Sequence, residues 1–175
     1  MIAVLHNIRS LHNVGSMFRT ADAAGIEKIY LCGYTSAPVD ESGMPRPQIS
    51  KTALGAETTV PWEKKKSVTA LLDRLHRDGS KIYAVEIDQR AVLYHKLKLS
   101  PRALKKAVIV VGNEVAGVPP AVLKRADKIL QIPMHGKKES LNVSVAFGII
   151  AYALRTRMKK RPANPRLSLE EIDRG

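Results

Sequence analysis

The chain has 175 residues, 29 Lys and Arg against 16 Asp and Glu, and a formal net charge of +13. That length suits one compact domain with a full core, and a single cysteine, Cys32, excludes an intramolecular disulfide framework and points to a reducing, cytoplasmic compartment. The opening MIAVLHNIRS turns polar too early for a secretory leader, and no apolar run is long enough to span a bilayer.

Along the chain, short strands alternate with helices, which predicts an α/β domain with a mainly parallel sheet flanked by helices. Residues 1–6 read as a strand, and 13–24 as a helix ended by Gly25. KIYLC (28–32) is a second strand. Pro38, Pro45 and Pro47 with Gly33 and Gly43 make 33–49 a loop holding at most one helical turn. Val68, Leu71, Leu72 and Leu75 fall at helical spacing up to Gly79. Strands follow at 81–87, 107–111 and 128–132, with a short helix from Pro119 or Pro120 to Arg125. A last helix carries Val143, Phe147, Ile150, Leu154 and Met158 on one stripe, and its basic far end suits a helix C-terminus. The domain is expected to occupy 1–160, with 161–175 a polar, loosely held tail.

The positive charge favours a polyanion partner. The basic residues are not confined to one amphipathic helix but recur at Lys64–Lys66, Lys105-Lys106, Lys137-Lys138 and Lys159–Arg161, which favours nucleic acid over a membrane surface. Aromatic residues are only 5% of the chain, so an extended base-stacking platform is not expected. Contacts to phosphate and shape are.

Three segments hold more glycine, asparagine and charge than a core needs. In NIRSLHNVGSMFRTAD (7–22), Asn13 can cap the following helix, Gly15 admits a second backbone, and Arg19 lies one turn beyond it. In VIVVGNEVAGVPP (108–120), a buried strand runs into Gly112, Asn113 and Glu114, placing polar groups at the carboxyl end where open α/β sheets bind ligands. Neither a P-loop nor a G-x-G-x-x-G fingerprint is present there. In ILQIPMHGKKESLNVSV (129–145), Ser140 or Asn142 is either an N-cap or part of a site, and Leu141 between them could wall an aromatic pocket. The five histidines have no metal-ligand spacing and Gly15-Ser16 is no nucleophile elbow, so no metal is expected.

In this order, the three segments resemble the three sequence motifs of the TrmH (SpoU) methyltransferases of the SPOUT superfamily. NVGSMFRTADAAG resembles motif 1, VVGNEVAGV motif 2 and IPMHGKKESLNVSVA motif 3, so the likeness covers about residues 2–155. The resemblance implies an α/β knot: a parallel sheet whose C-terminal part forms a deep trefoil knot, an exception to unknotted topology. It implies S-adenosylmethionine held by Val85, Glu86, Val111, Gly112, Ile132 and Met134, with Leu141 closing over it. It implies a homodimer packed through the first and last helices, and transfer of a methyl group to a ribose 2′-hydroxyl of tRNA or rRNA. Arg19 would face that hydroxyl, with Asn13, Glu114, Ser140 and Asn142 ordering the site. Arginine keeps its proton, so Arg19 is expected to orient ribose or phosphate and stabilise alkoxide rather than act as base.

No further RNA-binding domain is expected before the first strand, so RNA capture falls to the domain's own bases, including Arg9, Lys137, Lys138 and Arg155, with strong salt dependence. Two alternatives use the same scaffold: methylation of an RNA base, or a non-catalytic RNA-binding or ribosome-assembly module.

Overall fold

The structure, a computed structural model, describes residues 1–157. Strands β1 (Ile2–His6), β2 (Lys28–Cys32), β3 (Trp62–Lys65), β4 (Lys81–Val85), β5 (Val92–Leu93), β6 (Ala107–Val111) and β7 (Lys128–Gln131) form a 7-stranded sheet in the order β3-β2-β1-β6-β4-β7-β5. Every neighbouring pair is parallel. Helices α1 (Leu11–Ala24), α2 (Pro47–Ala53), α3 (Ala56–Thr59), α4 (Val68–Arg77), α5 (Pro101–Lys105), α6 (Pro120–Leu123) and α7 (Val143–Arg155) connect or cover the strands, with a 3-10 turn at Tyr94–Lys96.

Both faces are buried because successive strand residues point to opposite sides and both sets are apolar. Ala3, Leu5, Ile29, Leu31 and Ile109 pack with Met17 and Phe18 of α1 and Phe147 and Ile150 of α7. On the other face Val4, Tyr30, Ile82, Val108 and Val110 pack with Leu71, Leu72 and Leu75 of α4 and Val122 of α6. β6 lies at the centre with all its residues buried, which matches its continuous AVIVV run.

Several boundaries differ from those expected. α1 starts at Leu11 because Ser10, not Asn13, caps it: the Ser10 hydroxyl accepts the Asn13 backbone N–H at 3.3 Å. Asn13 thereby falls in the first turn with its amide free for other work. Gly25 ends α1 in the left-handed conformation, as expected (φ 65°). The stretch 33–49 holds only the first residues of a helix, as expected, and the further short elements lie beyond it. Pro47 opens α2, where its missing N–H costs nothing, and α3 and β3 follow before α4. The strand expected over 81–87 ends at Val85, that over 128–132 at Gln131, and the short helix at Leu123 rather than Arg125. α7 is described as far as Arg155. Met158, Lys159–Arg161 and the expected tail lie outside the described residues.

Gly15 explains how α1 and α2 come so close. A Cβ there would lie 2.1 Å from Thr52 Oγ1 and 2.3 Å from the Ile49 carbonyl. The Thr52 hydroxyl donates to the His12 carbonyl at 3.0 Å and ties the two helices at that point. Cys32 is buried at the end of β2, its thiol pushed up to about 12 by burial, which leaves it without nucleophilic character.

Candidate active site

The carboxyl ends of β4, β6 and β7 open into a cavity of about 210 Å³. Val85, Glu86, Val111, Gly112, Ile132, Met134 and Leu141, the seven residues expected around a cofactor, all line it. Leu130 and Val143 add further apolar wall, and Glu114 and Ser140 also reach it. Such a lining suits a flat apolar group edged by a few polar contacts.

Gly112 is required by backbone proximity. A Cβ on it would meet the Gly117 carbonyl oxygen at 2.3 Å and the Val118 nitrogen at 2.6 Å. The turn between them is closed by paired backbone bonds, Asn113 N–H to Gly117 C=O at 3.1 Å and Gly117 N–H to Asn113 C=O at 2.9 Å. Glu86 braces this turn from β4. Its carboxylate accepts the Val118 N–H at 2.6 Å and the Ile87 N–H at 2.8 Å. Glu86 therefore shapes the cavity wall as well as lining it.

Beside the cavity, Glu114 gathers the other two segments. Its carboxylate accepts backbone N–H groups of Arg9 and Ser10 and the Asn13 side-chain amide, each at 3.0 Å. The Asn13 Oδ1 in turn accepts the Asn142 amide at 3.1 Å. Asn142 Oδ1 accepts the Ser144 backbone N–H at 2.8 Å and the Ser144 hydroxyl at 2.7 Å. Asn142 is thus the N-cap of α7 and also links that helix to Asn13 of α1. Residues separated by 101 and 129 positions meet in one relay. Partial burial pushes the Glu114 carboxyl up, but the Arg9, Ser10 and Asn13 donors outweigh it and hold it below its ordinary value. It stays ionised at neutral pH.

Other expected residues stand apart. Arg19 is exposed on α1, outside the cavity lining, and makes no hydrogen bond or ion pair among the described residues. Ser140 is exposed at the cavity rim with no hydrogen-bond partner among the described residues. Arg9 is exposed beside Glu114, and Lys137 and Lys138 are exposed in the loop before α7. Arg155 lies at the opposite end of α7, half-buried, its guanidinium against Gly25. Of the Lys64–Lys66 run, Lys64 donates to the Thr35 carbonyl and Lys65 pairs with Glu63, leaving Lys66 exposed. Among the described residues no group of three His, Cys, Asp or Glu could hold a metal, and no helix is long and apolar enough to cross a membrane.

Sequence reasoning placed Asn113 at the carboxyl end of a strand but gave it no role of its own. Asn113 spends both amide hydrogens, on the Asn7 carbonyl at 3.0 Å and the Tyr34 hydroxyl at 2.8 Å. Its Oδ1 accepts the Val115 and Ala116 N–H groups at 2.9 and 2.7 Å. The available signal was its place between Gly112 and Glu114 at a strand's carboxyl end.

Comparison with known proteins finds relatives over nearly the whole chain. The chain is 34% identical over 180 residues to a tRNA (guanosine(18)-2′-O)-methyltransferase of Aquifex aeolicus, covering 99% of this chain and 78% of that one. It is 30% identical over 154 residues to the 23S rRNA (guanosine(2553)-2′-O)-methyltransferase RlmP of Bacillus subtilis, covering 88% of this chain but 57% of the relative's length. The crystal structure of an AdoMet-bound rRNA methyltransferase from Sinorhizobium meliloti superposes with a TM-score of 0.76 at 26% identity, over 91% of this chain and 57% of that one. The family model described as "SpoU rRNA Methylase family" matches residues 1–152. With residues 1–152 matched, nearly the whole described chain, the chain belongs to the SpoU rRNA methylase family.

Proposed function

We propose that this protein transfers a methyl group from S-adenosylmethionine to a ribose 2′-hydroxyl of a tRNA or rRNA. The observation that carries the reading is the Glu114–Asn13–Asn142 relay, standing at an apolar cavity at the carboxyl ends of β4, β6 and β7. The relatives named as 2′-O-methyltransferases and the AdoMet-bound neighbour support it.

The cavity fits the cofactor by chemistry. Leu130, Ile132, Leu141 and Val143 offer apolar walls to an adenine, and the turn at Gly112, where no side chain fits, lets main chain reach its edge. When bound, S-adenosylmethionine supplies a methyl group already activated on a sulfonium. The protein's task is then orientation and charge. Glu114, ionised and tied to main chain, fixes the Asn13 amide, and Asn13 fixes Asn142. Arg19 is a permanent cation with no partner among the described residues, suited to an RNA phosphate or to charge developing on the ribose oxygen.

The reading includes a homodimer packed through α1 and α7. Val145 and Tyr152 are 49% and 46% exposed on the outer face of α7, an apolar stripe with Ile149. An interface there also accounts for Arg19 standing outside its own chain's cavity. A C-terminal knot belongs to the same reading. Both β6 and β7 are inserted between strands that precede them in sequence, β1 and β4 for the first, β4 and β5 for the second.

The test uses methyl-labelled S-adenosylmethionine, the purified protein and total RNA from cells lacking the gene. Complete nuclease digestion is expected to release the label as a 2′-O-methylnucleoside. Label on a base, or none on RNA, would overturn the reading. Transfer is expected to weaken steeply with salt, since basic side chains displace counterions from phosphate. If Arg19→Lys kept full turnover and only moved the pH optimum, the orienting role of Arg19 would be wrong.

A further inference from the structure

We propose that Tyr34 is a stacking platform for the base of the acceptor nucleotide, and so a substrate-positioning residue for the reaction proposed above, on which this inference rests. Tyr34 follows the end of β2 at Gly33 and is 57% exposed. Its polar groups are nevertheless occupied. The hydroxyl accepts the Asn113 amide at 2.8 Å and the backbone N–H donates to Asn7 Oδ1 at 3.2 Å. A tyrosine fastened at both ends leaves its ring face as the part open to solvent.

The fastening groups are themselves held. Asn113 has all four amide hydrogen-bonding positions filled, two as donor and two as acceptor. Asn7 adopts a left-handed backbone (φ 57°), tolerable for asparagine, and its carbonyl receives the second Asn113 hydrogen. Gly33 is also left-handed, and a Cβ there would lie 1.9 Å from Asn7 Oδ1. The ring is therefore preorganised, and little side-chain freedom remains to be lost on contact.

Position gives the ring its partner. Asn113, which holds the Tyr34 hydroxyl, lines the cavity, and the next residue is the Glu114 that organises the relay. A ribose presented to Asn13 and Glu114 carries its base within a few ångströms, and a flat apolar face there offers stacking with any base. The other exposed tyrosine among the described residues, Tyr152, lies on the outer face of α7 with the apolar stripe assigned to the dimer. A single stacking ring is compatible with the low aromatic content of the chain.

The test measures steady-state methyl transfer to total RNA from cells lacking the gene, with S-adenosylmethionine binding followed by calorimetry. Tyr34→Ala and Tyr34→Leu are expected to raise the KM for RNA about 5- to 100-fold, the usual worth of one stacked base. Tyr34→Phe and Tyr34→Trp, which keep a ring, should stay within about threefold of the parent. S-adenosylmethionine affinity should be unchanged in all four. The inference is overturned if Leu matches Phe, which reduces the role to apolar packing. It is also overturned if Phe loses as much as Ala, which assigns the effect to the hydroxyl tether, or if cofactor affinity falls with RNA affinity. A parent protein that methylates no RNA would sink the underlying reading instead, so the two failures are distinct.

Discussion

Two stretches of the sheet's carboxyl edge are built on opposite plans. Above β1 and β2, side chains bond to one another and to main chain in a connected network: Asn7 with Tyr34, Asn113 with both, Glu114 with Arg9, Ser10 and Asn13. Above β4, β6 and β7 the same edge opens into an apolar cavity whose polar neighbours, Glu86 and the Gly112–Gly117 turn, are turned toward bracing its wall. The contrast separates two physical tasks. A closed polar network fixes directions, which suits orienting a hydroxyl, whereas an open apolar cavity supplies affinity. Glu114 stands at the border and belongs to both.

The sharpest way to break this division is at its border. Glu114→Gln keeps the shape but can no longer accept from three donors with charged oxygens, and about a 100- to 1000-fold fall in methyl transfer is expected. Calorimetry should find cofactor affinity nearly intact; a matching loss of affinity would erase the division. On the open side, Gly112→Ala drives a methyl group to within 2.3 Å of the Gly117 carbonyl. The turn must shift, lowering stability by about 1–3 kcal/mol and weakening the cofactor more than RNA. Thermal melting and binding of each ligand would check both parts.

Asn142→Ala is milder. It removes the α7 cap, at about 1 kcal/mol, and the link to Asn13, for about a tenfold slower transfer. Leu141→Ala sharpens the comparison from the cavity side. The residue is 40% exposed, so stability should barely move, while cofactor affinity falls about fivefold as apolar contact is lost. The smallest effect concerns pH. The Glu114 carboxyl is held below its ordinary 4.5 in the folded protein. Its stabilisation is therefore present above the unfolded value and lost only as pH falls through the lower folded one. The acid limb of activity due to Glu114 should lie below pH 4.5. A limb near neutrality that moved with Asn13→Ala would contradict the relay.

The elements that were legible in sequence are those whose pattern reflects burial on known faces. KIYLC and AVIVV are continuous apolar runs because both sides of a parallel strand are covered, and VTALLDRLHR carries a clean stripe for one face. What was hidden lies at the sheet's margins. WEKK pairs on one side only, with β2, so β3 carries charge and no apolar run. Two residues suffice for β5, below any periodic signal. In the site, the three segments were visible as excess polarity, but which residue met which was not. Ser10 caps α1 in place of Asn13, and only that one-turn shift frees the Asn13 amide for Glu114, 101 residues away. Tyr34 escaped notice, and Asn113 was seen without its bonding role, because a lone tyrosine and a lone asparagine carry no spacing.

The placement of β6 has a consequence for synthesis. The strand that fills the centre of the sheet emerges after more than a hundred residues have left the ribosome, and its two neighbours, β1 and β4, must wait with bare backbone edges until it arrives. Until then the nascent chain exposes apolar strands in search of a partner, which slows folding and invites association with other chains. Production of this domain should therefore respond to translation speed and to chaperone supply.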